Sequence, residues 1–380
     1  MIVRKGSYFT RTLARLTINI VRLENGNSQG SKMRCLVIVM ACIVIVGELT
    51  QAAVFGLHQA EWMAYKLKHG KSYASKAEDA NRMANFLATE ERVERHNAKS
   101  GNTYVMALNH MADWSSKERT KLNKVRSNRN SLRISEAQIA ESEAYLAKIQ
   151  SRSNGPIPDE WDWRQVPGRV GPVRNMGECG SDWAIAAVGV LEGQQVPRNV
   201  TKSNVIPLSI QEFIDCSQRN DGCGGGYPLN GLHDIGKFGG IESEKDYPYK
   251  HAARPSPDCK FDAKKVIMKH FDAVSLPMHD EDTLKATVAV YGPVSVRVWE
   301  TENLKSYHSG VLDDDGCPPE MEYADLAMLV VGYGTDENYV DYWIVRNCWG
   351  ESWGEQGYVK IKRGVNMCAI AMQPVIAKFN

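Results

Sequence analysis

The sequence predicts an α+β fold of two subdomains with a cleft between them, preceded by a separate helical segment. Three observations carry this prediction. Residues from about Leu57 to Glu118 are strongly charged and helically spaced; a single apolar helix follows Ser181, Asp182 and Trp183; the last third breaks into short β-branched and aromatic runs punctuated by glycine turns. The 380 residues suffice for one large or two ordinary domains. With 43% hydrophobic and 24% charged side chains, the composition excludes a disordered, collagen-like or multi-span membrane chain. The 46 basic and 45 acidic side chains are dispersed, which leaves no footprint for nucleic acid.

Taken in order, the first feature is the apolar run Cys35-Leu-Val-Ile-Val-Met-Ala-Cys-Ile-Val-Ile-Val-Gly47. It is shorter than the roughly 20 residues a spanning helix needs. Lys32-Met33-Arg34 precede it and Thr50-Gln-Ala52 follow, which reads as a secretory signal from Met33 cleaved after Ala52. A short signal-anchor is the other reading. Residues 1–32 carry Arg4, Lys5, Arg11, Arg15 and Arg22 before the first acid, Glu24. That fits either a transit-like leader or an upstream start codon, the second being simpler. Secretory entry makes disulfides expected among the nine cysteines, whose odd count leaves at least one thiol over.

In residues 57–118, Glu78, Arg82 and Phe86 fall at four-residue steps on one helix face. Residues 119–155 are first basic and polar, then a short helical segment after Ser135, then Ser151-Arg-Ser-Asn-Gly155. This stretch is expected to be an exposed linker sensitive to proteases. From 156 to 380 the chain is rich in Gly, Trp, Tyr and Cys. Ala184-Ile-Ala-Ala-Val188 and Leu191 give the buried side of one helix, and Val294–Val298, Met328–Val331, Tyr342–Val345 and Tyr358–Ile361 read as strands. No internal repeat is present.

Val173-Arg-Asn-Met-Gly-Glu-Cys-Gly-Ser-Asp-Trp183 resembles the active-site segment of the papain and cathepsin L cysteine peptidases. Their downstream segments are matched by Leu326-Ala-Met-Leu-Val-Val-Gly-Tyr-Gly334, Tyr342-Trp-Ile-Val-Arg-Asn-Cys-Trp-Gly350 and Trp353-Gly-Glu-Gln-Gly-Tyr358. Asp159-Glu-Trp-Asp-Trp-Arg164 is similar to the start of a mature enzyme, and Gly222-Cys-Gly-Gly-Gly-Tyr-Pro228 to the cleft wall whose glycine backbone pairs with substrate. The upstream helices resemble the inhibitory propeptide, with Asn109, Met111 and Asp113 matching its second motif and Thr89 replacing an Asn. The resemblance implies a papain-like two-subdomain fold, a helical left half and a β-barrel-like right half, behind a helical propeptide. It further implies the pairs Cys179–Cys223, Cys216–Cys259 and Cys317–Cys368, with Cys35 and Cys42 leaving in the signal and Cys348 left over where the family has Ser.

The family's chemistry needs a thiolate, an imidazole that shuttles its proton, an Asn that orients the ring and a Gln amide at the oxyanion. Lining up the motifs puts Asp182 at the nucleophile position, Leu326 at the imidazole and Met176 at the oxyanion Gln. Of the four, only Asn347 survives. Position 326 lies 144 residues after 182, within the roughly 130–150 expected of the family. Loss of one oxyanion donor alone costs about 10²–10³ in rate. The expectation is therefore a homologue without peptidase activity.

Asp182 would open the central helix, where the macrodipole favours a negative charge. Asp325 would place a second carboxylate nearby, which leaves aspartic-type or metal chemistry as a minor alternative. The cleft is expected to comprise Gly225, Gly226, Trp183, Trp349, Ala327 and Arg297, the last standing where the family lines its main specificity pocket with a small apolar side chain. Asn199-Val-Thr201 is a glycosylation sequon. His96, His110 and His308 are scattered without metal-ligand spacing, so no metal or cofactor is expected. The expected partners are a peptide or protein in the cleft, protease inhibitors or related proteases, in a secreted or lysosomal setting. The rival readings are a working endopeptidase with an unrecognised nucleophile such as Cys348, a structural or storage protein, and a propeptide that inhibits active relatives.

Overall fold

The computed structural model describes residues 40, 41, 45, 53–115, 118, 136–151, 155–195, 204–250, 259–317 and 324–379. The extension 1–32, nearly all of the signal segment 33–52, the stretch 119–135 and the sequon at Asn199 lie outside them. Among the described residues no helix is long and apolar enough to cross a membrane. The chain divides into two units, residues 1–79 and 80–380.

In the first unit, helix α1 (53–69) carries Trp62 and Tyr65, whose rings stack 5.5 Å apart, and Tyr73 stacks on Trp62 at 5.8 Å. Lys66 Nζ pairs with Asp79 at 2.6 Å. Helix α2 (Lys76–Asn97) has acids in its first turn and Arg95 and His96 in its last, both favourable to the helix dipole.

In the second unit, the buried stripe of α2 is Met83, Phe86, Thr89 and Val93. Arg82, expected on the face of Phe86, turns to Glu118 in a two-bond fork of 2.5 and 2.6 Å. Thr89 donates its hydroxyl to the Ala112 carbonyl at 2.9 Å, so the shorter side chain still ties α2 to the turn at 109–114. Strand β1 (Tyr104–Met106) then joins the edge of β7 (Tyr307–Leu312), with Tyr104 opposite Gly310. A Cβ at Gly310, where φ is +92°, would lie 2.4 Å from the Thr103 carbonyl, so only glycine lets β1 approach.

Helix α3 (Glu136–Gln150) is the helical segment expected within 119–155, but Leu146 and Ile149 are 5% and 3% exposed, so this part is packed and not an exposed linker. Strand β2 (Trp161–Asp162) pairs with β8 (Leu326–Thr335). The helical half consists of α4 (Asp182–Glu192), α5 (Ile210–Cys216) and α6 (Pro228–Phe238), closed by Cys179–Cys223 and Cys216–Cys259. Ser181 precedes α4 without capping it; its hydroxyl instead shares a hydrogen bond of 2.7 Å with Tyr249.

A small ribbon pairs β3 (Ile241–Glu242) with β4 (Val266–Met268). The sheet-rich half adds β5 (Phe271–Ser275), α7 (Glu281–Val290), β6 (Val294–Val298), α8 (Glu302–Lys305), β9 (Asp341–Arg346), β10 (Tyr358–Lys362) and β11 (Val375–Phe379). Its strand order is β1-β7-β10-β9-β8-β6-β11-β5, and Cys317–Cys368 closes its far loops. Each expected strand run falls inside β6, β8, β9 or β10. The apolar residues of β6 and β8 are buried on both faces, and α4 packs on these two strands. The approach is close: a Cβ on Gly189 of α4 would meet the Leu329 side chain at 2.7 Å.

Candidate functional site

The N-terminus of α4 delivers its first residue, Asp182, to the start of β8. Asp182 is 3% exposed, and its Oδ2 accepts the backbone N–H of Ala327 at 2.6 Å. Burial pushes its carboxyl up to about 6, against the pull of Arg297 and of the N–H groups of Ala327 and Trp183; Asp325 adds to the rise. Leu326, one residue before the donor, is fully buried and offers no polar atom.

Asn347 leaves β9 buried. Its Oδ1 accepts the N–H of Cys348 at 2.7 Å, while its buried Nδ2 has no hydrogen-bond partner among the described residues. Together with Ala327, Met328 and Cys348, Asn347 lines a narrow recess beside α4. Met176 is held by its N–H on the Cys348 carbonyl at 2.9 Å, and its sulfur lies 3.6 Å from Cys348 Sγ. Cys348 is the free cysteine among the described residues, and burial, with Asp182 and Glu300 nearby, lifts its thiol well above the ordinary 9. That is the reverse of an activated thiolate.

Arg297 of β6 is 1% exposed and reaches out of its strand to the helical half. Nη1 donates to the Gly226 carbonyl at 2.8 Å, Nε donates to the Ala324 carbonyl at 2.9 Å, and the guanidinium lies 4.8 Å from the Tyr227 ring. The side chain points inward, because two carbonyls and an aromatic face receive it there. Asp325 is raised by burial, and its Oδ1 accepts the Glu300 N–H at 2.8 Å. The carboxylates of Asp182 and Asp325 are thus engaged by different backbone donors, which does not resemble a shared proton or a metal clamp.

Of the other expected cleft residues, Trp183 is buried and donates to Gly222 O at 3.0 Å, and Trp349 packs edge-on against Trp353 at 5.1 Å. The Gly225 carbonyl accepts the Asp221 N–H at 2.9 Å, with φ at +106°.

Sequence reading missed three participants. Tyr249 donates its hydroxyl to the Met176 carbonyl at 2.8 Å. Glu300, raised to about 8 by burial, pairs with Lys305 at 3.0 Å. The remoteness of 249 and 305 from every motif left no signal for them. The Lys305 carbonyl also accepts Asn109 Nδ2 at 2.7 Å, so α8 joins the site to the upstream segment.

A buried helix that brings its first residue to a central strand, with an upstream segment added to the edge of the same sheet, is the two-subdomain scaffold of a peptidase proform. The chain belongs to the papain family: the model described as papain family cysteine protease matches residues 157–378, and the cathepsin propeptide inhibitor domain matches 62–118. It is 35% identical to cathepsin L of Sarcophaga peregrina over 344 residues, covering 88% of this chain and 97% of that one. It is 34% identical to pro-cathepsin H of Mus musculus, with 85% and 91% covered. Among solved structures, digestive procathepsin L 3 from Tenebrio molitor larval midgut superposes with a TM-score of 0.72 at 32% identity, over 85% of this chain and 99% of that chain.

Proposed function

We propose that this chain is a papain-family homologue without peptidase activity, retained as a binding or regulatory protein. Asp182 stands at the nucleophile position, Leu326 at the imidazole position and Met176 at the oxyanion donor. The observation that carries the reading is Leu326, wholly buried at the imidazole position with no side-chain atom that can take or give a proton. An Asn orients an imidazole by accepting its ring N–H on Oδ1, and here that oxygen accepts the backbone N–H of Cys348. Acyl transfer also needs a base for the attacking group and an acid for the leaving amine, and Leu326 supplies neither. Cys348 does not rescue the reaction, because burial keeps its thiol protonated.

Arg297 supports a changed ligand. It occupies the position of the family's main specificity pocket and takes the Gly226 carbonyl, an acceptor on the wall that would pair with a bound peptide. An extended peptide with an apolar side chain meets both a filled pocket and an engaged acceptor. A partner therefore reads other parts of the groove, and protein inhibitors or related proteases fit that role. Three disulfides and the apolar run at 35–47 support a secretory or lysosomal route.

The test is a fluorogenic peptide assay on the disulfide-bonded chain after removal of the prosegment. No turnover above buffer is expected from the wild type. Turnover that survives Asp182→Ala and disappears with Cys348→Ser would overturn the proposal. The triple change Asp182→Cys, Leu326→His, Met176→Gln is expected to restore covalent labelling by a thiol-reactive epoxide once Arg297→Ala is added. Failure of all four together favours the structural or storage reading.

A further inference from the structure

Helix α3 belongs to neither matched segment, since residues 62–118 end before it and 157–378 begin after it. Its Ser142, Leu146 and Ile149 are buried and Tyr145 half-buried, a 3-4 spacing that places all four on one face. That face packs on α7 and β5. Tyr145 meets Tyr291 edge-on at 6.4 Å, and Glu141 pairs with Lys378 of β11. The receiving surface is itself fixed: the Tyr291 carbonyl accepts Arg169 Nη2 at 2.9 Å and Gln194 Nε2 at 3.2 Å, and its hydroxyl donates to the Ala377 carbonyl. An isolated helix of this length is marginal in water, so the packed face holds it.

The upstream segment is anchored elsewhere and by other means. Strand β1 adds to β7 through the backbone, with the Val311 N–H on Thr103 O and the Ala107 N–H on Ser306 O, each at 2.8 Å. The two anchors share no residue.

We propose that α3 is a resident element of the peptidase-like body and not part of the removable prosegment. Whichever peptidase cuts the chain, water adds across a backbone amide to leave a carboxylate and a new amino group, and Glu136–Gln150 stays seated on α7 and β5. The body would then carry a helix that the family boundary at 157 omits, and its outer surface there is the exposed side of α3, which includes Ile139.

The experiment is limited trypsin digestion of the full, disulfide-bonded chain under native conditions, followed by size exclusion and mass spectrometry. Trypsin has sites on both sides of the helix, including Arg133 and Arg152. The body fraction is expected to contain Glu136–Gln150, continuous or nicked. In the uncut chain, α3 amides are expected to exchange on the order of 100-fold more slowly than unstructured peptide. Leu146→Asp with Ile149→Asp should abolish that protection and leave α4 unchanged. A native body fraction lacking residues 136–150, or free-peptide exchange rates in wild-type α3, would overturn the proposal.

Discussion

Replacing Asp182 with asparagine isolates the cost of holding a carboxylate at the head of the central helix. The amide is nearly isosteric, and its oxygen can still accept the Ala327 N–H that Asp182 Oδ2 takes at 2.6 Å. Burial lifts the folded carboxyl from 3.8 to about 6, so the folded state binds this proton more tightly than the unfolded chain does. Stability from this group is therefore greatest at low pH and is lost as pH rises from about 4 through about 6. At about 1.4 kcal/mol per pH unit, the full gap is worth about 3 kcal/mol, of which about 2 kcal/mol falls between pH 4.5 and 7.5. Glu212 and Glu300, both raised to about 8, slope the same way, and comparison with the variant subtracts them. Urea unfolding followed by tryptophan fluorescence measures the difference. Asp182→Asn should gain about 2 kcal/mol on wild type between pH 4.5 and 7.5, or about 4–8 °C in midpoint temperature. A wild-type-minus-variant difference constant within about 0.5 kcal/mol over that range refutes the burial argument, because the carboxylate would then be as well solvated folded as unfolded.

Arg297→Ala leaves the Gly226 and Ala324 carbonyls without their donor and removes a cation that favours the Asp182 carboxylate, so a loss of about 2–5 kcal/mol is expected in the same assay. Native wild type and Cys348→Ser should react identically with a small disulfide reagent at pH 8, and only denaturation should reveal the extra thiol. Leu326→Ala should cost about 2–5 kcal/mol, since the side chain is fully buried at the start of β8. Arg92→Ala removes a half-exposed pair with Glu302 and a bond to Ser306, and should loosen the upstream segment by no more than about 1 kcal/mol, measured as urea unfolding of the full chain.

The two-subdomain architecture was legible because its signals are local. Apolar runs of strand length, glycine turns and one wholly apolar helix declare their periods within a few residues. The helix at 76–97 shows the limit of that reading. Glu78, Arg82 and Phe86 do share a face by spacing, yet the buried stripe runs through Met83, Phe86, Thr89 and Val93, because what packs on a helix is decided by its neighbour. The linker was read from polarity, and polarity averaged over 119–155 concealed the four-residue stripe that seats α3. Neighbouring acids at 182 and 325 suggested paired carboxylates, but each found its own backbone N–H.

By itself, the sequence determined which residues occupy positions 176, 182, 326 and 347, since identity at a motif position is a matter of register alone. It also determined the α+β class. Only the tertiary structure decided what those residues do there: Asp182 locked on Ala327, Arg297 reaching to Gly226, Asn347 Oδ1 accepting the Cys348 N–H and Tyr249 holding Met176. The reason is that burial and hydrogen-bond partnership are properties of contacts between distant segments. Asp182 and Ala327 lie 145 residues apart in the chain, and nothing local in either reports the other.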